Sequence, residues 1–523
     1  MRNLEKTKLL LIPFLLGLVL FSISWHLSYP LSVDSVDDFV FNHVSVLYWV
    51  SLSLLLTSLF MMGVAFKDSS YKWIIAVGIV LIIYSISYFY VMLPGSDSQY
   101  FRGLTEYFTE TKNLDPSQAN HSYYQWPSFF ILSYIVSSVC GLSLVNYEFL
   151  LYTIIGFLLA ISLYSYASKA YGRGGFLAVP VFFISMFTFL NYQCVPFSLA
   201  LGLLFLLFML ETWKKSVGLT VAIIVLFGGI VITHLFVPLF FIIYLLMQAI
   251  ISKKRHYANL FLFALTLYFV IQFTMAQYSF ELYIRILLTA SSEYSSVIET
   301  TAVAALNPID VIAQTFSRLV TVAFAAISGI GFLFLLIKKK LRDIDKAILL
   351  TGILYSGIGI FLAALGTRAI SLAFIPVSLG AAFLFEKASR PFLKHIFVVL
   401  IVVLLALFSF IPLHQSFNSA TLFQTQETYR AANFLIDYSD WEETNQTLSY
   451  HSVNSYFEAK LSYYKVFTAY LQDVKDPDIV FYTVGLGKEL LSQNYTVEQI
   501  FFGGRRNLVY TNGFSSIATK AQY

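Results

Sequence analysis

Long apolar runs recur along most of the chain, and short polar or charged connections separate them. Most runs approach the roughly 20 residues that a helix needs to cross about 30 Å of hydrocarbon. The apolar runs cover residues 9–25, 44–65, 73–93, 128–144, 147–168, 176–191, 196–213, 217–233, 235–251, 258–276, 310–337, 347–365, 369–385 and 395–413. The pattern predicts an all-α polytopic membrane protein.

Lysines and arginines concentrate in alternate connections, and loops rich in these residues stay in the cytoplasm. The basic segments are the N-terminus and residues 66–72, 168–175, 213–216, 252–257, 338–346 and 386–394. All of them fall on one side only if the run 128–144 does not cross the membrane. We therefore predict about 13 transmembrane helices, a cytoplasmic N-terminus and an extracytoplasmic C-terminus. The run 128–144 is then a re-entrant or interfacial segment on the outer face.

The same topology divides the chain into two parts. Residues 1–413 form a transmembrane module with a long outer loop at 94–146, and residues 414–523 form a soluble extracytoplasmic tail. The tail has a helical stretch near 427–438 and strand-like runs at 479–484 and 507–511, so we predict a small α/β domain.

Composition excludes several classes of protein. The 523 residues are 58% hydrophobic and 12% charged, whereas soluble proteins are about 25% charged. This excludes a soluble enzyme, a disordered protein and a nucleic-acid binder, and the net charge of +4 does not indicate a polyanion partner. The two cysteines, Cys140 and Cys194, cannot by themselves form a disulfide framework or a thiolate metal site.

The outer loop 94–146 is dense in polar and aromatic residues, and Asp97 directly follows a span. A general base that acts on a lipid substrate must lie at this interface, although Asp97 could instead cap the helix that follows. Arg102 is a candidate phosphate ligand, but it lies four residues from Glu106, which is typical of an ordinary helix-surface pair. His121 could bind a metal or a phosphate, and Gln125 is a further substrate-binding candidate.

Cationic residues also recur near the predicted outer face. His234 lies between two apolar runs, where a neutral imidazole bonded to a carbonyl is the simpler interpretation. Arg318 lies one or two turns inside its span, Arg368 follows Gly366 and Thr367 in a tight turn, and Arg285 lies in the loop 277–309. An arginine's donor fork suits a phosphate, so we predict a lipid phosphate or pyrophosphate site here.

Together these features resemble the GT-C superfamily of polyprenyl-phosphate-sugar-dependent glycosyltransferases, such as the protein mannosyltransferases and the aminoarabinose transferase. The resemblance rests on the acidic residue that follows a span in Gly95-Ser96-Asp97, on the segments 124–127 and 128–144, and on the outer C-terminal tail. The chain departs from the family pattern because its acidic loop follows the third span, not the first. The next outer turn, Asn191-Tyr192-Gln193, also lacks a carboxylate.

The resemblance implies inverting transfer of a sugar from a lipid-linked donor to a glycan, lipid or protein acceptor at the cell membrane. It implies that Asp97 is the base or a metal ligand, together with His121, for a divalent cation such as Mg or Mn, and that the Thr233-His234 turn binds phosphate. Two alternatives remain open: an enzyme of the O-antigen polymerase or ligase type, and a transporter or flippase for lipid-linked sugars.

Overall fold

The computed structural model describes residues 2–29, 44–65, 96–115, 122–185, 194–213, 216–277, 308–337, 341–361 and 363–387, with short strands between 447 and 520 and a few single positions. The predicted spans 73–93 and 395–413 and the helical stretch near 427–438 lie almost entirely outside the described residues. Most of the described residues before 388 are helical, as the apolar runs predict.

The helices are named here in chain order. They are α1 (Arg2–Ser28), α2 (Val46–Ala65), α3 (Ser96–Thr111), α4 (Ser128–Cys140), α5 (Leu144–Tyr171), α6 (Ala178–Ser185), α7 (Pro196–Glu211), α8 (Val217–Val231), α9 (Val237–Ser252), α10 (Arg255–Met275), α11 (Pro308–Ile337), α12 (Asp343–Phe361) and α13 (Ala363–Lys387).

Three of the described helices contain apolar segments long enough to cross a membrane by length and composition: Leu11–Ser28, Leu144–Tyr171 and Arg255–Met275. Several shorter apolar helices or segments of 10 to 17 residues accompany them. The protein is therefore a helical membrane protein, whereas the total of about 13 crossings stays a prediction.

Helix α5 connects two polar clusters that lie at opposite ends of the bundle. Glu148 near its start bonds to Arg102, and Tyr171 at its last residue donates to Asp345 Oδ1 at 2.8 Å. The 23 residues between Glu148 and Tyr171 rise about 35 Å, enough to cross the hydrocarbon. We call the two ends of the bundle the Glu148 end and the Tyr171 end.

Helix α4 does not carry the chain from one end to the other. At its start the Ser128 N–H donates to the Ile232 carbonyl at 3.2 Å, in the turn between α8 and α9. At its end Gly141 adopts φ 64°, a left-handed conformation that stops the helix, and α5 then begins at the Glu148 end. The helix has 13 residues and a length of about 20 Å. These contacts agree with the prediction that 128–144 does not cross.

Basic residues collect at the Tyr171 end. Lys169 Nζ donates to the Thr212 carbonyl, and Arg342 pairs with Asp345 through Nη2 and Oδ1 at 2.6 Å. Nearby, the Tyr257 hydroxyl lies 3.5 Å from Glu211 Oε2. This clustering agrees with the grouping of basic loops, and the assignment of this end to the cytoplasm stays a prediction.

Helices α11 and α13 pack closely and in parallel through small residues. A Cβ at Gly331 would lie 2.6 Å from the Gly380 carbonyl oxygen and 3.4 Å from Leu384 Cβ. Earlier on both helices, Ser328 Oγ donates to the Pro376 carbonyl at 3.2 Å. Because the contacts advance in the same direction along both chains, the two helices are parallel. Small residues permit such close approach of membrane helices.

The tight turn predicted at Gly366-Thr367-Arg368 is wrong. Helix α12 ends at Phe361 and α13 begins at Ala363, so all three residues lie within the first two turns of α13. The apolar run marks where hydrocarbon begins, but backbone bonding extends the helix beyond it. A single glycine near a helix end costs only about 1 kcal/mol, so Gly366 does not stop the helix.

Four strands are described in the C-terminal tail, in the order β1-β2-β4-β3. They are β1 (Thr447–Leu448), β2 (Ile479–Thr483), β3 (Arg506–Thr511) and β4 (Ser515–Lys520). Strands β2 and β3 confirm the strand-like runs at 479–484 and 507–511. An independent α/β domain at 414–523 stays a prediction.

Candidate functional site

The outer-loop helix α3 begins at Ser96, so Asp97 lies within its first turn. An N-cap residue stands outside the helix, so capping by Asp97 does not fit these bounds. A carboxylate in the first turn is still favoured by the helix dipole. The Asp97 side chain lies outside the described residues, and its catalytic role stays a prediction.

The two residues after Asp97 are buried and fix the start of α3. Ser98 Oγ accepts a hydrogen bond at 3.3 Å from the backbone N–H of Cys194, just before α7. Cys194 is itself buried, and this burial, with a smaller contribution from nearby Glu148, raises the pKa of its thiol. Loss of hydration of the thiolate explains the direction of this shift.

Arg102 is buried in an ion pair with Glu148. Its side chain is among the largest that are fully buried, and Glu148 is 6% exposed. Arg102 Nε lies 3.0 Å from both Glu148 carboxylate oxygens, Nη2 donates to Oε2, and Nη1 donates to Gln99 Oε1 at 3.0 Å. This fork geometry is the strong form of an arginine–carboxylate bond.

The interpretation of Arg102 and Glu106 as an ordinary helix-surface pair is therefore wrong. Both side chains are buried, because α3 packs against α4 and Arg102 bonds to Glu148 of α5. Glu148 was missed as a site residue, although an acidic residue one position inside the predicted span 147–168 is a signal in itself. Phosphate binding by Arg102 stays a prediction that now competes with this pairing.

Gln125 lies in the short 3₁₀ helix Ser122–Gln125 between α3 and α4, and it is buried. Beside it the Tyr124 hydroxyl donates to the Leu104 carbonyl at 2.6 Å, and burial raises the pKa of this phenol. The Tyr123 ring packs edge-on to Phe101 at 4.8 Å between centroids. Aromatic side chains thus fill the space between α3 and α4.

His234 lies at the Glu148 end in the turn between α8 and α9. Its Nδ1 accepts a hydrogen bond at 3.1 Å from the Phe236 N–H. A ring nitrogen that accepts carries no proton, so the neutral ring has its proton on Nε2. The Phe197 ring packs against the imidazole at 5.2 Å, and the Tyr355 hydroxyl donates to the Phe236 carbonyl.

Arg318 and Arg368 lie at nearly the same level on the parallel helices α11 and α13. Arg318 precedes Gly331 by 13 residues, and Arg368 precedes Gly380 by 12 residues, in the described helices. At 1.5 Å per residue these separations are about 20 and 18 Å from the crossing. Arg318 lies about three turns from the start of α11 at Pro308.

This shared level is at the Glu148 end. A Cβ at Gly352 of α12 would lie 2.4 Å from Pro376 Cγ, which sets the antiparallel register of α12 and α13. In that register position 368 lies level with the last turn of α12, beyond Tyr355, which bonds to the His234 turn. The structure therefore brings Gln125, His234 and the helix positions of Arg318 and Arg368 to the end where α3 starts.

The metal site at Asp97 and His121 stays a prediction. His121 and Arg285 lie outside the described residues, as does the Asp97 side chain. Among the residues that are described, no three His, Cys, Asp or Glu side chains form a group suited to a metal ion.

No protein-family model matches the chain, and no curated protein matches it. Among solved structures, the chain is similar to ArnT from Cupriavidus metallidurans, whose crystal structure contains undecaprenyl phosphate. The match has 12% identity and a TM-score of 0.37, and it covers 86% of this chain and 98% of ArnT. A TM-score of this size does not establish a common fold.

Proposed function

We propose that the protein is a membrane glycosyltransferase that moves a sugar from a polyprenyl-phosphate donor to an acceptor hydroxyl at the outer face. The observation that carries the proposal is the common level of Arg318 and Arg368 on two parallel helices. Charged residues within a membrane are costly and generally functional, and two arginines at one depth suit the phosphate of a lipid.

His234 supports the same assignment. Its neutral form carries a proton on Nε2, and a donor of this kind suits a phosphate oxygen. The turn that holds it bonds both to α4, through Ser128, and to α12, through Tyr355. Its position is therefore coupled to the loop segment that contains Gln125 and to the helix that precedes Arg368.

The proposed reaction is a single inverting displacement. The acceptor oxygen bonds to the anomeric carbon of the sugar while the bond from that carbon to the lipid phosphate oxygen breaks. Asp97 takes the hydroxyl proton, and the lipid phosphate leaves as an anion that the cationic groups stabilise. A divalent cation held by Asp97 and His121 would add charge stabilisation to the leaving phosphate.

The test is binding and transfer with a polyprenyl-phosphate sugar. We expect Arg318→Ala and Arg368→Ala each to weaken donor binding about tenfold or more, the usual effect of losing a charged hydrogen bond. Lys254→Ala is the matched control, because Lys254 is an exposed cation next to α10 at the Tyr171 end. Wild-type donor affinity in both arginine variants would overturn the phosphate site.

The transfer assay separates the remaining alternatives. Joining of preassembled glycan units would favour a polymerase or ligase, and movement of the donor across a vesicle membrane without transfer would favour a flippase. Release of lipid phosphate in step with sugar incorporation into an acceptor is the result expected for the proposed enzyme.

A further inference from the structure

The Arg102–Glu148–Gln99 cluster is one of the most completely buried polar arrangements at the Glu148 end. Arg102 is 1% exposed and Gln99 is 0% exposed, and hydrogen bonds engage all three guanidinium nitrogens. We name these three residues the α3 clamp. It joins α3 of the outer loop to the long helix α5.

Stability alone is a weak reason for a bundle to contain such a cluster. Moving two charges from water to an apolar interior costs so much that apolar residues of similar volume often stabilise a protein equally well or better. What the ion pair adds is directionality, since a bidentate arginine–carboxylate bond accepts little change in angle or distance. The apolar face of α3, with Phe101 and Leu104, supplies packing but no comparable restraint.

The clamp acts on the part of α3 that carries Asp97. Arg102 is five residues after Asp97, about 7.5 Å along the helix. Ser98, between them, is bonded to the Cys194 backbone, so the first two turns of α3 are each held at one point. A helix held this way presents its first turn at one fixed position.

We propose that Glu148 is a positioning residue that, through Arg102, holds α3 against the bundle and sets the place of Asp97. Its effect on sugar transfer rests on the proposed function, whereas the docking of α3 does not. Glu148 itself contacts no substrate in this proposal. In this proposal Arg102 docks α3 to the bundle and does not bind the lipid phosphate.

Cys194 provides a native reporter of this docking. It is 1% exposed, and its backbone bonds to α3 through Ser98. The chain has two cysteines, so in a Cys140→Ser background Cys194 is the only thiol. Its alkylation rate then measures how often α3 leaves the bundle.

The experiment compares Glu148→Ala, Glu148→Gln and the charge exchange Arg102→Glu with Glu148→Arg, all in the Cys140→Ser background. We expect Glu148→Ala to raise the Cys194 alkylation rate at least about tenfold, because buried Arg102 loses its bonds to the Glu148 carboxylate. Glu148→Gln keeps the shape without the charge and should have a smaller effect in the same direction. Glu110→Gln, an exposed change on the same helix, is the control and should leave the rate unchanged.

Enzyme kinetics distinguish a role of Glu148 in positioning Asp97 from a purely structural role. We expect kcat to fall at least about tenfold in Glu148→Ala while KM for the lipid donor changes less than about threefold, since donor-phosphate contacts are unaffected. The charge exchange should recover both kcat and Cys194 protection. Unchanged protection and unchanged kcat would overturn the proposal, and so would faster alkylation with wild-type kcat.

Failure of the proposed function has its own signature. A wild-type protein that binds no polyprenyl-phosphate sugar and transfers none would overturn the glycosyltransferase assignment. Loss of Cys194 protection in Glu148→Ala, with recovery in the charge exchange, would still support the docking role of Glu148. Absence of these two results would refute the docking role.

Discussion

The close contact between α11 and α13 allows a sharp test of how the two arginines are held at one level. Replacing Gly331 by Ala places a Cβ 2.6 Å from the Gly380 carbonyl oxygen. Ordinary contacts begin at 3.4 Å, so the helices must separate by about 0.8 Å. A gap of that size forfeits a quarter to a half of the contact energy of the atoms it separates, so the whole small-residue interface weakens.

The expected cost is that of overpacking, about 1–3 kcal/mol of the free energy of unfolding. For a chain of 523 residues that corresponds to a fall in Tm of about 1–3 °C. Gly380→Ala should cost at least as much, because its Cβ would lie 2.1 Å from Ser328 Oγ and 2.9 Å from the Ser328 carbonyl oxygen. Both variants should also weaken donor binding, since the crossing sets the relative position of Arg318 and Arg368.

Gly329→Ala is the matched control on the same helix. Its Cβ would meet no atom within 4 Å, so the variant should be as stable as wild type or slightly more stable through better helix propensity. The assay is thermal unfolding of purified protein in detergent, followed by donor binding at a temperature where all variants are folded. Equal Tm for Gly331→Ala and Gly329→Ala would refute the close parallel packing of α11 and α13.

Three further predictions concern other parts of the chain. Asp97→Asn should leave a folded protein that binds donor but transfers sugar about 10²–10⁴-fold more slowly. The assay is transfer of labelled sugar from the lipid donor to an acceptor. A rate within a few-fold of wild type would reject Asp97 as the base. In intact cells an impermeant maleimide should label exposed Cys140. It should not label Cys194, because this thiol is buried and its pKa is raised. Labelling of Cys140 only after permeabilisation would place α4 on the inner face. Asp345→Asn should lower the free energy of unfolding by about 1–3 kcal/mol, because buried Asp345 accepts hydrogen bonds from Tyr171 and Arg342. Asp343 is exposed, so Asp343→Asn should have little effect in the same denaturation assay.

The apolar runs determine that this is a helical membrane protein, and together with the distribution of basic residues they predict several crossings. Hydrocarbon tolerates a chain segment only when its own backbone is bonded, so length and apolarity are enough to locate helices such as α5 and α10. Charge parity alone also predicted that 128–144 does not cross, and the contacts of Ser128 and Glu148 agree. The strands β2 and β3 were likewise predicted, from the short strand-like runs at 479–484 and 507–511.

Only the tertiary structure decided how polar residues pair. Arg102 and Glu106 are neighbours by helical spacing, but the partner of Arg102 that the fold supplies is Glu148, from another helix 46 residues later. No local sequence pattern predicts this pairing, because it depends on where the fold places α3 relative to Glu148 of α5. The level shared by Arg318 and Arg368 has the same origin: it follows from the Gly331–Gly380 contact between two helices, which the apolar pattern of neither helix contains.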